Sequence, residues 1–204
     1  MKEITVKLYR LEELNKDVQK EVIENWRNDD YFEATDEERT LEAFKNMTGI
    51  RVRYEYDSYR GHISFTSDFD DDILELSGIR LMKYVANNFF DDIHKGKYFS
   101  TIRIENNKYV GKSKHSRIIF SRDCPLTGVC FDIDILEPMY DVLDGKHVDN
   151  VNFTFNDMIE ECLENWLKSA IAEYEYWLSK EHIKEEIEAN DYYFTKNGKI
   201  MNED

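Results

Sequence analysis

Residues 156–189 read NDMIEECLENWLKSAIAEYEYWLSKEHIKEEIEA, and this stretch decides the fold class more than any other part of the chain. Apolar side chains return along it every three or four positions, which is the period of one face of an α-helix. Glutamates occupy much of the opposite face. The pattern predicts a long acidic C-terminal helix, with a break near Ser179, that packs one stripe on the body of the protein. The stripe consists of Ile159, Leu163, Trp166, Ala170, Tyr174 and Trp177.

Strand and helix patterns are mixed in the rest of the chain without strict alternation. Ile50–Tyr56 and Ile63–Phe65 alternate apolar and polar residues around a turn, which predicts a β-hairpin. The order of elements favours the α+β class, with a mostly antiparallel mixed sheet and packed helices. Two prolines and eight glycines leave no linker-like stretch, so we expect a single domain over 1–204. The other predicted elements are an N-terminal strand over 3–9, helices beginning after Asn15, at Thr35 and at Ser77, strands around 102–104, 118–120 and 129–135, and a short helix near Met139.

The net charge of −16 on 204 residues limits the partners of this protein. Such a field repels nucleic acid and membrane phosphates and attracts basic partners over a long range. No window approaches eighteen apolar residues, and the N-terminus has no signal-like apolar region, so we expect no membrane association. Three cysteines, an odd number, fit reduced thiols and a cytoplasmic location better than a disulfide framework.

Acidic and basic residues are concentrated in different segments of the chain. Residues 157–191 hold eleven acidic residues and three lysines, whereas residues 95–122 hold eight basic residues and one glutamate. Acidic helix faces are commonly only solvated, but a row of carboxylates can also imitate phosphates and occupy a basic groove. The second interpretation predicts eleven partner-binding residues, which are Asp68, Asp70, Asp71, Asp72, Glu75, Glu160, Glu161, Glu164, Glu181, Glu185 and Glu186.

Motifs of catalysis and of cofactor binding are missing from the sequence. It contains no Gly-rich phosphate loop, no HExxH, no CxxC and no GxSxG. The acidic stretch at Asp68 resembles a calcium loop, but Ile73 stands where the loop needs glycine and Ile79 where it needs glutamate. We therefore expect a protein that is not an enzyme and has no cofactor, no catalytic residue and no metal site.

Two alternatives of other classes stay open. Asp132 and Asp134 alternate with apolar residues in the predicted strand over 129–135, and Glu137 follows. Carboxylates on one face of a strand can hold Mg²⁺, as in a metal-dependent phosphodiesterase or nuclease. The basic segment 95–122 could instead supply phosphate contacts in a protein that sequesters a nucleotide signal.

The two ends of the chain contain the segments Val6–Leu14, Val18–Ile23, Trp26-Arg27 and Glu188–Lys199. These segments resemble a loose group of small acidic bacteriophage and prophage proteins, which are mostly without an assigned function. The group implies an acidic phage protein that is located in the cytosol of the infected host. Small acidic phage proteins without enzyme motifs include many that block host nucleic-acid-handling machinery, anti-CRISPR inhibitors among them. No functional residue transfers from the group, because it has no shared catalytic motif.

These observations together predict an inhibitor that acts by binding. The expected partner is a basic host protein such as an RNA-guided nuclease, whose nucleic-acid groove the acidic surface would occlude. Direct binding of nucleic acid is disfavoured by the net charge. The basic segment leaves room for a mixed interface or a homodimer.

Overall fold

The structure, a computed structural model, describes residues 6–28, 34–99, 102–105, 108–112 and 117–201. Helices and antiparallel strands occur together, which confirms the α+β class. The chain divides into two compact units, and the expectation of a single domain stays a prediction. We name them the terminal unit, which comprises Met1–Glu33, Asp57–Arg60 and Ile171–Asp204, and the central unit, which comprises Ala34–Tyr56 and Gly61–Ala170.

Eight α-helices lie in the described residues. None of these helices is both long and apolar enough to cross a membrane. A 3₁₀ turn at Leu11–Glu13 precedes the first of them. The helices are α1 (Lys16–Asn28), α2 (Thr35–Thr48), α3 (Asp71–Leu74), α4 (Gly78–Asn88), α5 (Phe90–Ile93), α6 (Phe131–Leu143), α7 (Phe155–Trp177) and α8 (Lys180–Ala189).

The described strands form four separate antiparallel pairs, so the expected mixed sheet is not found among them. The predicted hairpin is confirmed, as are strands at two of the central predictions. The predicted strand over 3–9 lies partly outside the described residues, and its Tyr9 makes an isolated bridge to Phe194. The pairs are β1 (Arg51–Tyr56) with β2 (Gly61–Thr66), β3 (Lys95–Phe99) with β6 (Arg117–Ser121), β4 (Ile102–Glu105) with β5 (Lys108–Lys112), and β7 (Tyr193–Phe194) with β8 (Ile200–Met201).

The C-terminal amphipathic stretch forms two helices that are separated near Ser179, as the sequence predicted, and a single long acidic helix is not confirmed. Helix α7 ends at Trp177 and α8 begins at Lys180. Ser179 adopts an extended conformation between them, and its hydroxyl accepts a hydrogen bond from the His182 amide at 3.1 Å. A serine in this N-cap position satisfies a free amide of the new helix, which favours a fresh start there.

The prediction of a strand over 129–135 was wrong, because helix α6 begins at Phe131. Ile135, Leu136 and Met139 are fully buried, a spacing that fits a helix, while Ile133 remains about half exposed. The alternation of Phe131, Ile133 and Ile135 therefore does not reflect a sheet face. Asp132 holds the turn before this helix, because its carboxylate accepts hydrogen bonds from the amides of Thr127 and Gly128.

The terminal unit is built around α1 and α8. Seven buried apolar side chains form its core, and the Trp26 ring lies edge-on to Tyr192 at 5.2 Å between centroids. Gly198 has a φ of +78° and sits so close to Val22 that a Cβ would lie 2.8 Å from its side chain. Only glycine fits this turn without displacing α1. The core consists of Leu11, Leu14, Val22, Ile23, Ile183, Ile187 and Phe194.

The central unit is organised around α7. Trp166 of this helix is fully buried, and its indole N–H donates to the backbone carbonyl of Glu37 in α2 at 2.9 Å. The rings of Tyr54 and Tyr56 in β1 lie edge-on to Trp166 at 5.0 and 6.1 Å. One indole therefore fixes both α2 and the hairpin to α7.

A buried histidine joins α5 to α6 within the central unit. The His94 ring stacks on Phe90 and lies edge-on to Tyr140, and its Nε2 accepts a hydrogen bond from Arg122 at 3.3 Å. Burial is the main cause that lowers the pKa of His94, with the charge of Arg122 acting in the same direction. Burial also raises the pKa of Tyr140 to about 12, and its hydroxyl donates to the carbonyl of Ile93 at 2.7 Å.

We predict that His94 makes the protein less stable in mild acid. Because the folded state lowers the pKa of this residue, the unfolded chain, with a histidine pKa of about 6.5, binds the proton more readily. Its contribution to stability is complete above that value and is lost as the pH falls through it. The urea midpoint should therefore fall between pH 7.5 and pH 5.5, and His94→Gln should flatten this fall. His62→Gln, which changes an exposed histidine, should keep the wild-type pH dependence, and an unchanged slope in His94→Gln would contradict the assignment.

Candidate functional site

The first group of predicted carboxylates is exposed as a whole. It lies between β2 and α4, at Asp68, Asp70, Asp71, Asp72 and Glu75. Phe69 packs edge-on against Phe155, with 5.3 Å between the ring centroids, and Ile73 and Leu74 are half-buried. The acidic residues that neighbour these apolar side chains in the sequence face solvent. The backbone of this segment is held by its apolar residues, which leaves the charges outside.

Only part of this charge is compensated within the described residues. Arg51 holds Asp68 with two hydrogen bonds, 2.7 Å from Nη2 to Oδ1 and 3.0 Å from Nη1 to Oδ2. These hydrogen bonds and the positive charge lower the pKa of Asp68. The other four carboxylates have no basic side chain within 4 Å in the part of the chain that the structure describes. A net negative patch is therefore available to a partner.

The second group of predicted carboxylates is divided between the two units. Glu160, Glu161 and Glu164 are exposed on α7 in the central unit, the unit that also holds the first group. Glu181, Glu185 and Glu186 belong to α8 in the terminal unit. Glu181 and Glu185 are exposed, whereas Glu186 is half-buried and accepts a hydrogen bond from the Trp26 indole at 3.0 Å. Glu186 thus also has a structural role.

A cleft of about 540 Å³ lies between β2 and α7, and we name it the acidic cleft. It is lined by Ile63–Ser67 on one side, by Leu74 of α3, and by Asn156, Glu160, Leu163 and Glu164 of α7. Asn156 donates to Glu160 at 2.9 Å, while Lys168 is 3.9 Å from Glu164. The described lining holds two carboxylates and no basic side chain. The cleft suits a cationic ligand and repels a phosphate.

A second cavity, of about 480 Å³, lies between α2 and Tyr54 and differs in its charges. Its Glu42 already pairs with Lys45 at 2.6 Å, and the hydroxyl of Tyr54 donates to Glu38 at 3.2 Å. Several polar side chains of this cavity are therefore already paired with one another. The acidic cleft is the better candidate for binding.

Strand β2 presents its free edge to the acidic cleft. Five consecutive residues, Ile63–Ser67, line the cleft, and no described residue of β1 does. Because consecutive residues of a strand belong to opposite faces, this lining places the cleft along the outer edge of β2. The Asp57 amide donates to the carbonyl of Arg60 at 2.8 Å, which fixes the alternation of the antiparallel ladder. The amides and carbonyls of Ile63 and Phe65 consequently point away from β1, and they have no hydrogen-bond partner within the described ranges.

The three carboxylates of the nuclease alternative do not share a face. Asp132 is fully buried near the start of α6, and accepts hydrogen bonds from the amides of Thr127 and Gly128 and from the hydroxyls of Thr40 and Thr127. Asp134 points elsewhere and accepts from Ser169 at 2.7 Å, while Glu137 is exposed. No three His, Cys, Asp or Glu side chains converge to hold a metal in the described chain. The premise of a shared strand face was therefore wrong.

The nucleotide-binding alternative falls on side chains outside the described residues. Within residues 95–120, the structure describes only the backbone of strands β3–β6. Arg122 at its end is paired with Asp144 at 2.6 and 2.8 Å. The charge of Arg122 is therefore already balanced by Asp144. The nucleotide-binding alternative stays a prediction.

Comparisons with protein-family models, with curated protein sequences and with solved structures found no match.

The outer edge of β2 is the part of the site that the sequence prediction missed. The hairpin was predicted, but the pattern of its residues does not show which edge a neighbouring helix leaves open. One signal was present, because Gly61–Thr66 contains neither lysine nor proline. Edge strands commonly carry such residues to prevent pairing with another chain.

We predict that Asp132 stabilises the fold and binds no metal. Asp132→Ala removes the acceptor of four hydrogen bonds and should lower the free energy of unfolding by about 3 kcal/mol. Asp134→Ala removes one hydrogen bond and should cost about 1 kcal/mol. Urea denaturation measures both values. Thermal stabilisation of the wild type by Mg²⁺ or Mn²⁺ that disappears in Asp132→Ala would contradict this role and restore the nuclease alternative.

Proposed function

We propose that this chain is a non-enzymatic inhibitor from a phage or another mobile element. It binds a basic, nucleic-acid-handling defence protein of the host, such as an RNA-guided nuclease. Its carboxylates occupy the groove that would otherwise receive nucleic acid.

The observation that supports the proposal most directly is the exposed and largely uncompensated charge of the central unit. Four carboxylates at residues 70–72 and 75 have no basic partner within the described residues, and Glu160 and Glu164 line the acidic cleft of the same unit. A surface that served solubility alone would not need a cleft beside its charges. The charges and the cleft together provide a shaped anionic surface.

Electrostatics gives the proposed complex a recognisable signature. Fixed carboxylates attract a basic groove over a long distance and raise the association rate, and added salt screens this attraction. A groove that binds nucleic acid is already adapted to a row of negative charges. Binding should therefore weaken as salt rises and should compete with the nucleic acid of the partner.

The exposed residues of the first group provide the test of this function. Replacing Asp70, Asp71, Asp72 and Glu75 by lysine should abolish the retention of a basic nucleic-acid-binding protein from nuclease-treated host lysate. The fold should persist, because exposed substitutions usually change stability by less than about 0.5 kcal/mol each. A tagged pull-down washed at low and then high salt, with identification by mass spectrometry, measures retention. Preloading the captured protein with its nucleic acid should block binding.

A matched control separates local recognition from total charge. Glu21, Asp123, Asp149 and Glu188 are also exposed, and replacing these four by lysine changes the net charge equally. This control variant should retain the partner at low salt. Equal loss of the partner in both variants would show that total net charge, and not this surface, causes the effect. Retention of the partner by both variants would refute the proposed surface.

A further inference from the structure

We infer that the acidic cleft binds an extended basic segment of its protein partner, which adds as a third strand to the outer edge of β2. This inference rests on the proposed function and specifies how the partner is held. Backbone hydrogen bonds to β2 would supply affinity, and carboxylates of α7 would select basic side chains. Strand addition is a recurrent mode of peptide recognition at open sheet edges.

The backbone of β2 offers the necessary hydrogen bonds. The amides and carbonyls of Ile63 and Phe65 point away from β1, and the cleft lies on that side. An added strand would pair with these groups in the way that Arg51–Tyr56 pairs with the other edge. The strand has no proline that would remove a donor and no lysine that would discourage pairing.

The opposite wall of the cleft matches the period of a strand. Helix α7 runs alongside β2 in the opposite direction, because Phe155 contacts Phe69 beyond the end of β2 and Trp166 contacts Tyr56, which pairs with Gly61 at its start. Glu160 and Glu164 are four residues apart on the helix, so they lie about 6 Å apart along its axis. Alternate side chains of a strand are about 6.6 Å apart. Two basic residues at positions i and i+2 can therefore face the two glutamates.

The alternate positions of the bound segment meet an apolar surface. The apolar surface is provided by Ile63, Phe65 and Leu74, which are half-buried, while Leu163 in the lining is buried. The site thus fits a sequence in which basic and apolar residues alternate. A second copy of this chain is the weaker occupant, because two molecules with a net charge of −16 repel each other.

A synthetic peptide, acetyl-KVKVKVK-amide, tests the inference directly by isothermal titration calorimetry. Phe65→Pro removes the outward amide and leaves the hydrogen bonds to β1 in place, since proline is tolerated at a free edge. Phe65→Ala is the matched control, because it loses the same ring and keeps the amide. Near-ultraviolet circular dichroism checks that Trp166 remains packed in both variants.

We expect the proline variant to bind at least about tenfold more weakly than the alanine variant, as the loss of a backbone hydrogen bond implies. Replacing Glu160 and Glu164 by glutamine should weaken binding about fivefold and reduce its salt dependence. The same change at Glu21 and Glu188, which are exposed and lie outside the cleft and the predicted binding residues, should have little effect. A peptide with glutamate in place of lysine should not bind.

Several outcomes would overturn the inference. They are equal binding by the two Phe65 variants, no binding of the lysine peptide, or a concentration-dependent dimer in sedimentation that Phe65→Pro abolishes. If the lysine replacements at 70–72 and 75 release the host protein while both Phe65 variants retain it, the proposed function stands and strand addition fails. If peptide binding depends on the Phe65 amide, but the lysine replacements at 70–72 and 75 leave capture of the host protein unchanged, strand addition stands and the proposed function fails.

Discussion

The buried indole of Trp166 is the contact on which the acidic cleft depends. Its N–H donates to the carbonyl of Glu37, and its ring is in edge-on contact with the rings of Tyr54 and Tyr56. Large aromatic side chains contribute much of the apolar burial in a core and hold their neighbours in defined orientations. Because the hairpin is fixed to α7 through its β1 rings, β2 lies beside Glu160 and Glu164 with its outer edge open.

The same packing explains why the acidic residues are free to bind. Along α7 the buried stripe faces the core, which places the glutamates on the other side. In the segment between β2 and α4, Phe69, Ile73 and Leu74 face inward and the aspartates face outward. Burial of apolar side chains thus positions the charges, which contribute little to holding the fold. Charge reversal at these positions can therefore report on binding rather than on folding.

Much of the local structure could be predicted from the sequence. The helical period of α1, α2, α4 and α7 and the alternation of the hairpin are strong signals, because each reflects one buried face. The prediction of a strand over 129–135 failed because tertiary contacts override its short alternation of apolar and polar residues. Asp132 binds the amides of Thr127 and Gly128 and the hydroxyl of Thr40, a residue more than ninety positions earlier, and this turn begins a helix. A local pattern cannot show a hydrogen bond to so distant a residue.

The sequence by itself determined the α+β class, the hairpin, the main amphipathic helices and the exposed positions of most acidic residues. These follow from periodicity and charge, which act over a few residues. Only the tertiary structure decided that Asp132 and Asp134 point to different partners and that β2 keeps a free edge beside Glu160 and Glu164. The reason is physical, since a cleft and a free edge arise from contacts between segments far apart in the chain.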